Sequence, residues 1–345
     1  MSKRISIPQQ DITALFEGFE KVKVMVVGDV MVDKYWWGQA ERISPEAPVP
    51  VVEIKRKENR AGGAANVALN CKALGAEVIL ATVIGDDEDG ALLQKLVAAE
   101  GISTAGVLSS ATRHTTVKTR VISRNQQMVR IDEEETTELS VADEHRFIDT
   151  VLKLVQIEKP QVLIFEDYNK GLLKENVISK IIGHCQLVGV LTAVDPKKKN
   201  FLAYKSVDIF KPNLKEIREG LNLAIEEVEL PTLQQVHAAL QQHLHHQVSL
   251  ITLSEKGVFY QDGQQAEVFP AHLRNISDVS GAGDTVIAVA SLVYALTRNA
   301  ALMAETANIA GGMACEKAGV VAIDRDDLQR EITQLIGDQD ATPAS

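Results

Sequence analysis

The sequence predicts an α/β fold in which a mostly parallel sheet is covered by helices on both faces. Three observations carry that expectation. From Val141 onward, short apolar runs (QVLIFED, LVGVLTAVD, QVSLITLS) alternate with stretches of helical period. Strands separated by helices lie parallel, and a strand buried on both faces reads as one continuous apolar run. No internal repeat or low-complexity linker divides the 345 residues, a length one large α/β domain can accommodate.

Residues 10–20 read as an amphipathic lead-in helix. VKVMVVGDVMVD then reads as a Val-rich buried strand entering a polar loop at Gly28-Asp29. Between Tyr35 and Arg60 the pattern changes to three prolines followed by apolar-polar alternation, an extended segment leaving the core. AGGAANVALNCKALGA opens a helix behind two glycines, EVILATVIG is a strand and DEDGALLQKLVAAEG a helix. TTVKTRVISRNQQMVRIDEE alternates around Ser123-Arg124-Asn125 and reads as a hairpin. The helix–strand rhythm then runs through VADEHRFIDTVLKLVQIEK, QVLIFED, LKENVISKIIGHC, LVGVLTAVD, SVDIFKPN, KEIREGLNL and QVSLITLS. GVFYQDGQQAEVFP is a hairpin around Asp262-Gly263. Helices follow at roughly 283–297 and 300–317, and GDQDATPAS reads as a frayed tail. The expected organisation is one domain over residues 1–330, a small β lid drawn from about 34–61 and 115–132, and a tail at 331–345.

Composition narrows the function. Hydrophobic residues at 45% and charged residues at 24% exclude a disordered or fibrous chain. No run approaches the ~18 apolar residues of a membrane span. The N-terminus lacks the apolar core of a signal peptide. A net charge of -11 argues against nucleic acid as the main partner. The expected partners are therefore small molecules, with neither nucleic acid nor membrane. Cys71, Cys185 and Cys315 are far apart and outside any CxxC pattern, which fits buried thiols in a reducing cytoplasm. His243, His245 and His246 have spacing open to a metal, but read as the solvated end of a helix.

The strongest local signal is DVSGAGDT, which opens the apolar helix TVIAVASLVYAL. Gly281, Ala282 and Gly283 let the backbone approach a ligand, and their N–H groups lie where a helix N-terminus favours an anion. Asp284 inside that turn is placed to take a proton from a hydroxyl attacking a phosphoryl group. A Gly-rich cap with Asp284 as capping acid explains the same residues. Neither GxGxxG after the first strand nor a Walker A lysine pattern is present.

GAGD at a C-terminal helix, GGAANVALNCKALGA near the N-terminus and KPNLKE between them resemble the ribokinase-like (PfkB) carbohydrate kinases, in the family's order from about Val24 to Ile323. The resemblance implies a three-layer ribokinase-like fold with a β-sheet lid, ATP as phosphate donor and Mg²⁺. Inside the family, WWGQAERISPEAPVPVVEIKRKENRAGGAANVALN, FEDYNKGLL, VDPKKKNF and FKPNLKE resemble the kinases that phosphorylate D-glycero-β-D-manno-heptose 7-phosphate at its anomeric hydroxyl for ADP-heptose and surface-glycan synthesis. What this implies for single residues is as follows. Asp284 is the base, with Gly281, Ala282 and Gly283 at the transferring phosphoryl group. Asp33 at the end of the first strand, Gly62, Gly63 and Asn66 hold sugar hydroxyls. Asp167 and Lys170 join the substrate site, and Lys118, Arg120 and Arg130 are candidates for the 7-phosphate, being otherwise a solvated strand face or a dimer contact. Asp195, Lys197, Lys211, Asn213 and Glu216 lie toward the nucleotide phosphates, with Glu216 orienting Mg²⁺ through water; Asn213 and Glu216 also match a capping box. Thr252, Ser254, Glu255 and Gly257 form a nucleotide-side loop, and Asn308, Gly311 and Gly312 face the adenine. A monovalent cation such as K⁺ is implied near Asp278, Ala318 and Gly319. Paired lids imply a homodimer. Another sugar kinase of the family and a non-catalytic sugar- or nucleotide-responsive regulator are the alternatives. No HxGH-type nucleotidyl motif is present, and about 20 residues after Ile323 are short of a further domain. Trp36 and Trp37 either line the sugar pocket or anchor the lid.

Overall fold

The computed structural model describes residues 7–337 except 125, 224, 226, 264 and 318. Thirteen strands appear among the described residues. They are β1 (Lys23–Gly28), β2 (Val30–Ile43), β3 (Pro50–Gly63), β4 (Glu77–Gly85), β5 (Ser103–Ser110), β6 (Val117–Ser123), β7 (Gln126–Glu133), β8 (Val162–Glu166), β9 (Leu191–Asp195), β10 (Ile209–Phe210), β11 (Val248–Thr252), β12 (Val258–Gln261) and β13 (Ala266–Phe269). Nine form the central sheet in the order β13-β12-β11-β10-β9-β8-β1-β4-β5. Every neighbouring pair is parallel except β11–β12 and β12–β13, the hairpin expected around Asp262-Gly263.

The period-2 alternation of buried strands makes the layers. Val24, Val26, Val162 and Ile164 face one core; Met25, Val27, Leu163 and Phe165 face the other. The first core is closed by α1 (Gln9–Phe19), α2 (Ala64–Ala73), α3 (Glu88–Ala99), α8 (Ala282–Thr297), α9 (Ala300–Ala314) and α10 (Arg325–Ile336). The second is closed by α4 (Val141–Glu158), α5 (Glu175–Val188), α6 (Leu214–Leu221) and α7 (Leu230–Leu244). This is the expected α/β architecture, a mainly parallel sheet between helical layers with a smaller separate sheet.

That smaller sheet has the order β3-β2-β6-β7. It is built from the two segments assigned to a lid; β2 and β3 outrun 34–61 at both ends, and β6 and β7 run from Val117 to Glu133. β2 and β3 form a long antiparallel hairpin, β2 and β6 pair in parallel, and β7 is an exposed edge strand. The turn residue Asn125 lies outside the described residues. Trp36 and Trp37 both lie on β2. Lys57 stacks over Trp36, and Arg56 and Tyr35 over Trp37, so both rings are held within the hairpin.

Three local expectations change. VKVMVVGDVMVD is two strands in two sheets, broken at Asp29, so Asp33 is not at the end of the first strand. The break has a physical cause: the Asp29 carboxylate accepts the backbone N–H groups of Tyr168 and Lys170, and its carbonyl accepts that of Ala64. The tail assigned to 331–345 does not begin at 331: α10 runs from its N-cap Asp324 and buries Leu328, Ile332 and Ile336, while residues 338–345 of GDQDATPAS lie outside the described residues. His246 is not solvated but buried, on the Ser249 hydroxyl shared with His237. No helix among the described residues is long and apolar enough to cross a membrane.

Candidate active site

Ligands in open α/β sheets bind outside the carboxyl ends of the strands. Here Gly28, Glu166 and Asp195 are register partners at the ends of β1, β8 and β9. Lys211 follows β10 directly and bonds Val194 O through its backbone N–H. Residues 162, 164 and 166 share a face, as do 191, 193 and 195, and that face carries α8. Glu166 and Asp195 therefore meet the first turn of α8. Gly281, its N-cap, has φ +80°, a conformation that favours glycine. A Cβ on Gly283 would lie 3.5 Å from Asp195 Oδ2 and 3.7 Å from Lys211 Nζ, which places this helix start against the strand-end charges.

Asp284 is buried within that turn. Asn66 donates Nδ2–H to its Oδ2 at 2.6 Å, and the Tyr168 hydroxyl donates to Oδ1 at 3.0 Å. Thr285 donates to Asn70, one turn beyond Asn66, so α2 and α8 are locked side by side. Burial pushes the Asp284 carboxyl up to about 6; the Asn66 and Tyr168 donors oppose this and the Asp195 charge adds to it. The value suits a proton acceptor near neutral pH.

Asp195 accepts from Lys211 at 2.8 Å and from Lys197 at 3.2 Å. Burial works against its charge, yet the two lysines hold it below the ordinary range. Lys197 also donates to Glu216 Oε1 at 2.6 Å, while Glu216 Oε2 accepts the Asn213 backbone N–H and Asn213 Oδ1 accepts that of Glu216. The capping box is present, and both Glu216 oxygens are engaged by it and Lys197. The acids brought together are Glu166, Asp195 and Asp284, one oxygen of each lying within 4.8 Å of the others. Both Glu166 oxygens are buried without a hydrogen-bond partner. Burial, then repulsion from Asp195 and Asp284, drives its carboxyl well above the ordinary range. Unpartnered carboxylate oxygens beside two further carboxylates form an all-oxygen donor set of the kind a hard divalent cation takes, so Mg²⁺ fits here.

The residues implied for the substrate side lie on the small sheet, at the start of α2 and in the loop after β8. On β2, Asp33 pairs with Arg60 on β3 and Lys118 on β6. Arg120 donates to Asp33 Oδ1 at 2.5 Å, and a Cβ on Gly62 would collide with Asp33 Oδ2. Burial raises the Asp33 carboxyl against Arg120. Gly63 turns the chain into α2 at φ +63°. Lys118 binds Glu134 and Asp132, and Lys170 binds the other Glu134 oxygen. Arg130, opposite Arg120 across the strand pair, is half exposed and bonded to Asp132.

Asp167, implied for the substrate site, is a buried residue, 1% exposed, whose carboxylate accepts from Tyr204, Asn200 and the Asn169 backbone. Strand parity sends Asp167 to the face opposite Glu166, away from Asp284. The missed residues are Glu166 and Tyr168, its immediate neighbours in FEDYNK. Alternation counted back from the apolar residues of QVLIFED was the signal that could have separated them.

The other residues implied for the nucleotide side lie at the end of β11, on the loop after it and on α9. Thr252 bridges Asn213, and Ser254 and Glu255 are exposed on a single turn that ends at Gly257, φ +99°. Asn308 donates to Pro270 O, and the Arg274 side chain covers Gly312. Asp278 accepts the backbone N–H groups of Ser280 and Gly319 at 3.0 and 2.9 Å. Ala318 lies outside the described residues.

A family model described as pfkB family carbohydrate kinase matches residues 21–326. The bifunctional protein HldE of Geotalea uraniireducens is 37% identical over 335 residues, 96% of this chain and 67% of that protein. The bifunctional protein HldE of Methylobacillus flagellatus is 38% identical over 321 residues, 91% of this chain and 64% of that protein. The chain thus spans about two thirds of the length of these relatives. Among solved structures, phosphofructokinase-2 from Escherichia coli with substrates and products superposes at TM-score 0.76, with 18% identity and coverage of 91% of this chain and 99% of that one. Arabidopsis thaliana ribokinase with ribose and ATP gives 0.68 at 18% identity, covering 90% and 98%. The fold is ribokinase-like.

Proposed function

The chain belongs to the pfkB family of carbohydrate kinases, phosphotransferases acting on an alcohol group, and from that premise we propose that it phosphorylates the anomeric hydroxyl of D-glycero-β-D-manno-heptose 7-phosphate with ATP. The observation that carries the phosphotransfer reading is Asp284: buried, fixed by Asn66 and Tyr168, and pushed up to about 6 at a helix N-terminus facing two lysines. The heptose assignment is supported by the ISPEAPVPVV and FEDYNKGLL segments and by the lysines and arginines on the small sheet.

The attacking hydroxyl gives its proton to Asp284. Its oxygen bonds to the γ-phosphorus, and the bond from that phosphorus to the β,γ-bridging oxygen breaks, leaving ADP. The Ala282 and Gly283 N–H groups with Lys211 face the charge that builds on the γ-phosphoryl oxygens. Asn66 and Tyr168 hold the two Asp284 oxygens still, so the proton acceptor is oriented before substrate arrives. Asp33, fixed by Arg120 and backed by Gly62, receives sugar hydroxyls. Glu166 and Asp195 would hold Mg²⁺, which supplies neutralisation of the nucleotide's phosphate charge; Glu216 acts behind them through Lys197. Asp278 would support a monovalent cation beside the GAGD turn. The exposed Met128, Val129 and Ile131 on edge strand β7 support pairing of two small sheets in a homodimer.

The test is phosphate transfer from ATP to a panel of heptose, hexose and pentose phosphates and the corresponding free sugars. A bisphosphate from heptose 7-phosphate is expected. Faster turnover of another sugar assigns a different kinase of the family, and absence of transfer to any of them leaves the regulator reading.

A further inference from the structure

One ion cluster at the edge of the site is built from parts far apart in the chain. Lys118 Nζ and Lys170 Nζ contact the two oxygens of Glu134, at 2.5 and 2.7 Å. The lysine side chains are 15% and 13% exposed. Lys118 comes from β6 of the small sheet, Lys170 from the loop after β8 of the central sheet, and Glu134 directly follows β7. A single carboxylate thus clamps cations of both sheets.

The cluster is held in fixed relation to Asp284. The Lys170 and Tyr168 backbone N–H groups both bond Asp29 Oδ2, at 3.0 and 2.9 Å, and Arg113 donates to the Lys170 carbonyl. Tyr168 in turn holds Asp284. Lys170 and Tyr168 thus share one anchor, Asp29, which ties the cluster to the loop that holds the base. Lys118 is the register partner of Asp33 on the intervening strand.

Charge decides what the cluster can accept. The two lysines are balanced by Glu134 and Asp132, and Asp132 is also bonded to Arg130. A phosphate monoester carries close to two negative charges and three acceptor oxygens. It gains nothing from lysines already neutralised, and it is repelled by Glu134 while that carboxylate stays. Glu134 is held down to about 2 by its lysines, although burial opposes this, so protonation near neutral pH does not release it. Exchange is the route open to an arriving phosphate.

We infer that Glu134 is an internal counter-ion occupying the anion subsite of the free protein, and that the phosphate group of the substrate displaces it from Lys118 and Lys170. The inference rests on the reading of a phosphorylated sugar as substrate and names how that phosphate is received. A neutral sugar has nothing with which to displace Glu134; a phosphorylated one takes over a pair of lysines that link the two sheets. Release of Glu134 frees the segment after β7 at the moment the anion binds.

Titration of the full chain with inorganic phosphate at low ionic strength tests this without requiring catalysis, with potassium chloride at matched ionic strength as the control. Removing a partly exposed ion pair changes affinity by a small factor. Glu134→Gln is expected to bind phosphate about fivefold more tightly than the unaltered chain, and adding Lys170→Gln to that variant is expected to abolish the gain. Phosphate bound at the helix-end site by Lys211 would ignore both changes. Should Glu134→Gln not fold, Glu134→Asp serves, since it is one methylene too short to clamp both lysines. Equal affinity in the unaltered chain and the Glu134 variant, or a gain that survives Lys170→Gln, overturns the counter-ion. Failure of the heptose assignment appears separately, as absence of a bisphosphate in the sugar panel with phosphate binding intact.

Discussion

The Tyr168 hydroxyl reaches Oδ1 of Asp284 at 3.0 Å from the loop after β8, while Asn66 reaches Oδ2 from α2. The carboxylate is gripped by two segments remote from each other in the chain. Asp284→Asn should lower kcat by about 10²- to 10⁴-fold, the range of a general base, while ATP affinity changes little. Retention of more than a tenth of the activity in steady-state assays would remove Asp284 from the role.

Tyr168→Phe separates orientation from protonation. The hydroxyl donates to the charged form and lowers the Asp284 pKa, so its loss raises that pKa. The acid limb of the kcat/KM profile should move to higher pH, with a smaller loss at its plateau than for Asp284→Asn. An unshifted limb would mean that Tyr168 only packs.

Activity and stability should respond to pH with opposite signs through one group. The base works ionised, so kcat/KM rises as pH passes about 6. For stability, the folded pKa lies above the unfolded value of about 3.9. The folded state therefore binds the extra proton, and the contribution of Asp284 to stability declines between about pH 4 and pH 6 and is flat above. Melting temperatures of the parent chain and Asp284→Asn should diverge across that window, with the variant gaining relative stability as pH rises. A constant difference from pH 4 to pH 8 would contradict the raised pKa.

Glu166 is a second buried carboxyl whose ionisation is opposed, by burial and by Asp195 and Asp284. Glu166→Gln should raise the melting temperature at pH 8 without divalent cations. It should also shrink the additional stabilisation that MgCl₂ gives the parent chain. A full magnesium-induced shift in the variant would place the ion elsewhere.

Gly281 and Gly283 should behave differently although they are two residues apart. Alanine at 281 meets φ +80° and a built Cβ 3.0 Å from Asn66 Nδ2, and should destabilise by about 1–2 kcal/mol. Alanine at 283 meets only ordinary contacts, 3.5 and 3.7 Å, and helix propensity favours it. Gly283→Ala should keep or raise the melting temperature yet lower kcat/KM by tenfold or more, because its methyl group fills the space beside Lys211. Thermal melts and initial rates on the two variants decide this.

Much of the site is legible in the sequence because helix starts advertise themselves. GAGD places small residues immediately before an apolar run, KPNLKE places a capping box at the start of a short charged helix, and both open the helices expected of them, α8 and α6. What is harder to read is parity and connection. Glu166 and Asp167 are chemically alike, and only the count along β8 decides which meets Asp284. The division of VKVMVVGDVMVD between two sheets turns on Asp29, whose partners at 168 and 170 are remote in sequence. β5 escapes notice because an edge strand of mixed exposure, STAGVLSS, lacks a clean alternation.

The β2–β3 hairpin leaves the core at Val30 and returns at Gly63, and these two residues are register partners. Departure and return therefore share one fulcrum beside Asp29. Fourteen residues of strand extend about 46 Å from it. A tilt of about five degrees would carry the far turn through about 4 Å and move Asp33, near the fulcrum, by only about 1 Å. Such a lever can swing widely at its rim while the Asp33 carboxylate hardly moves.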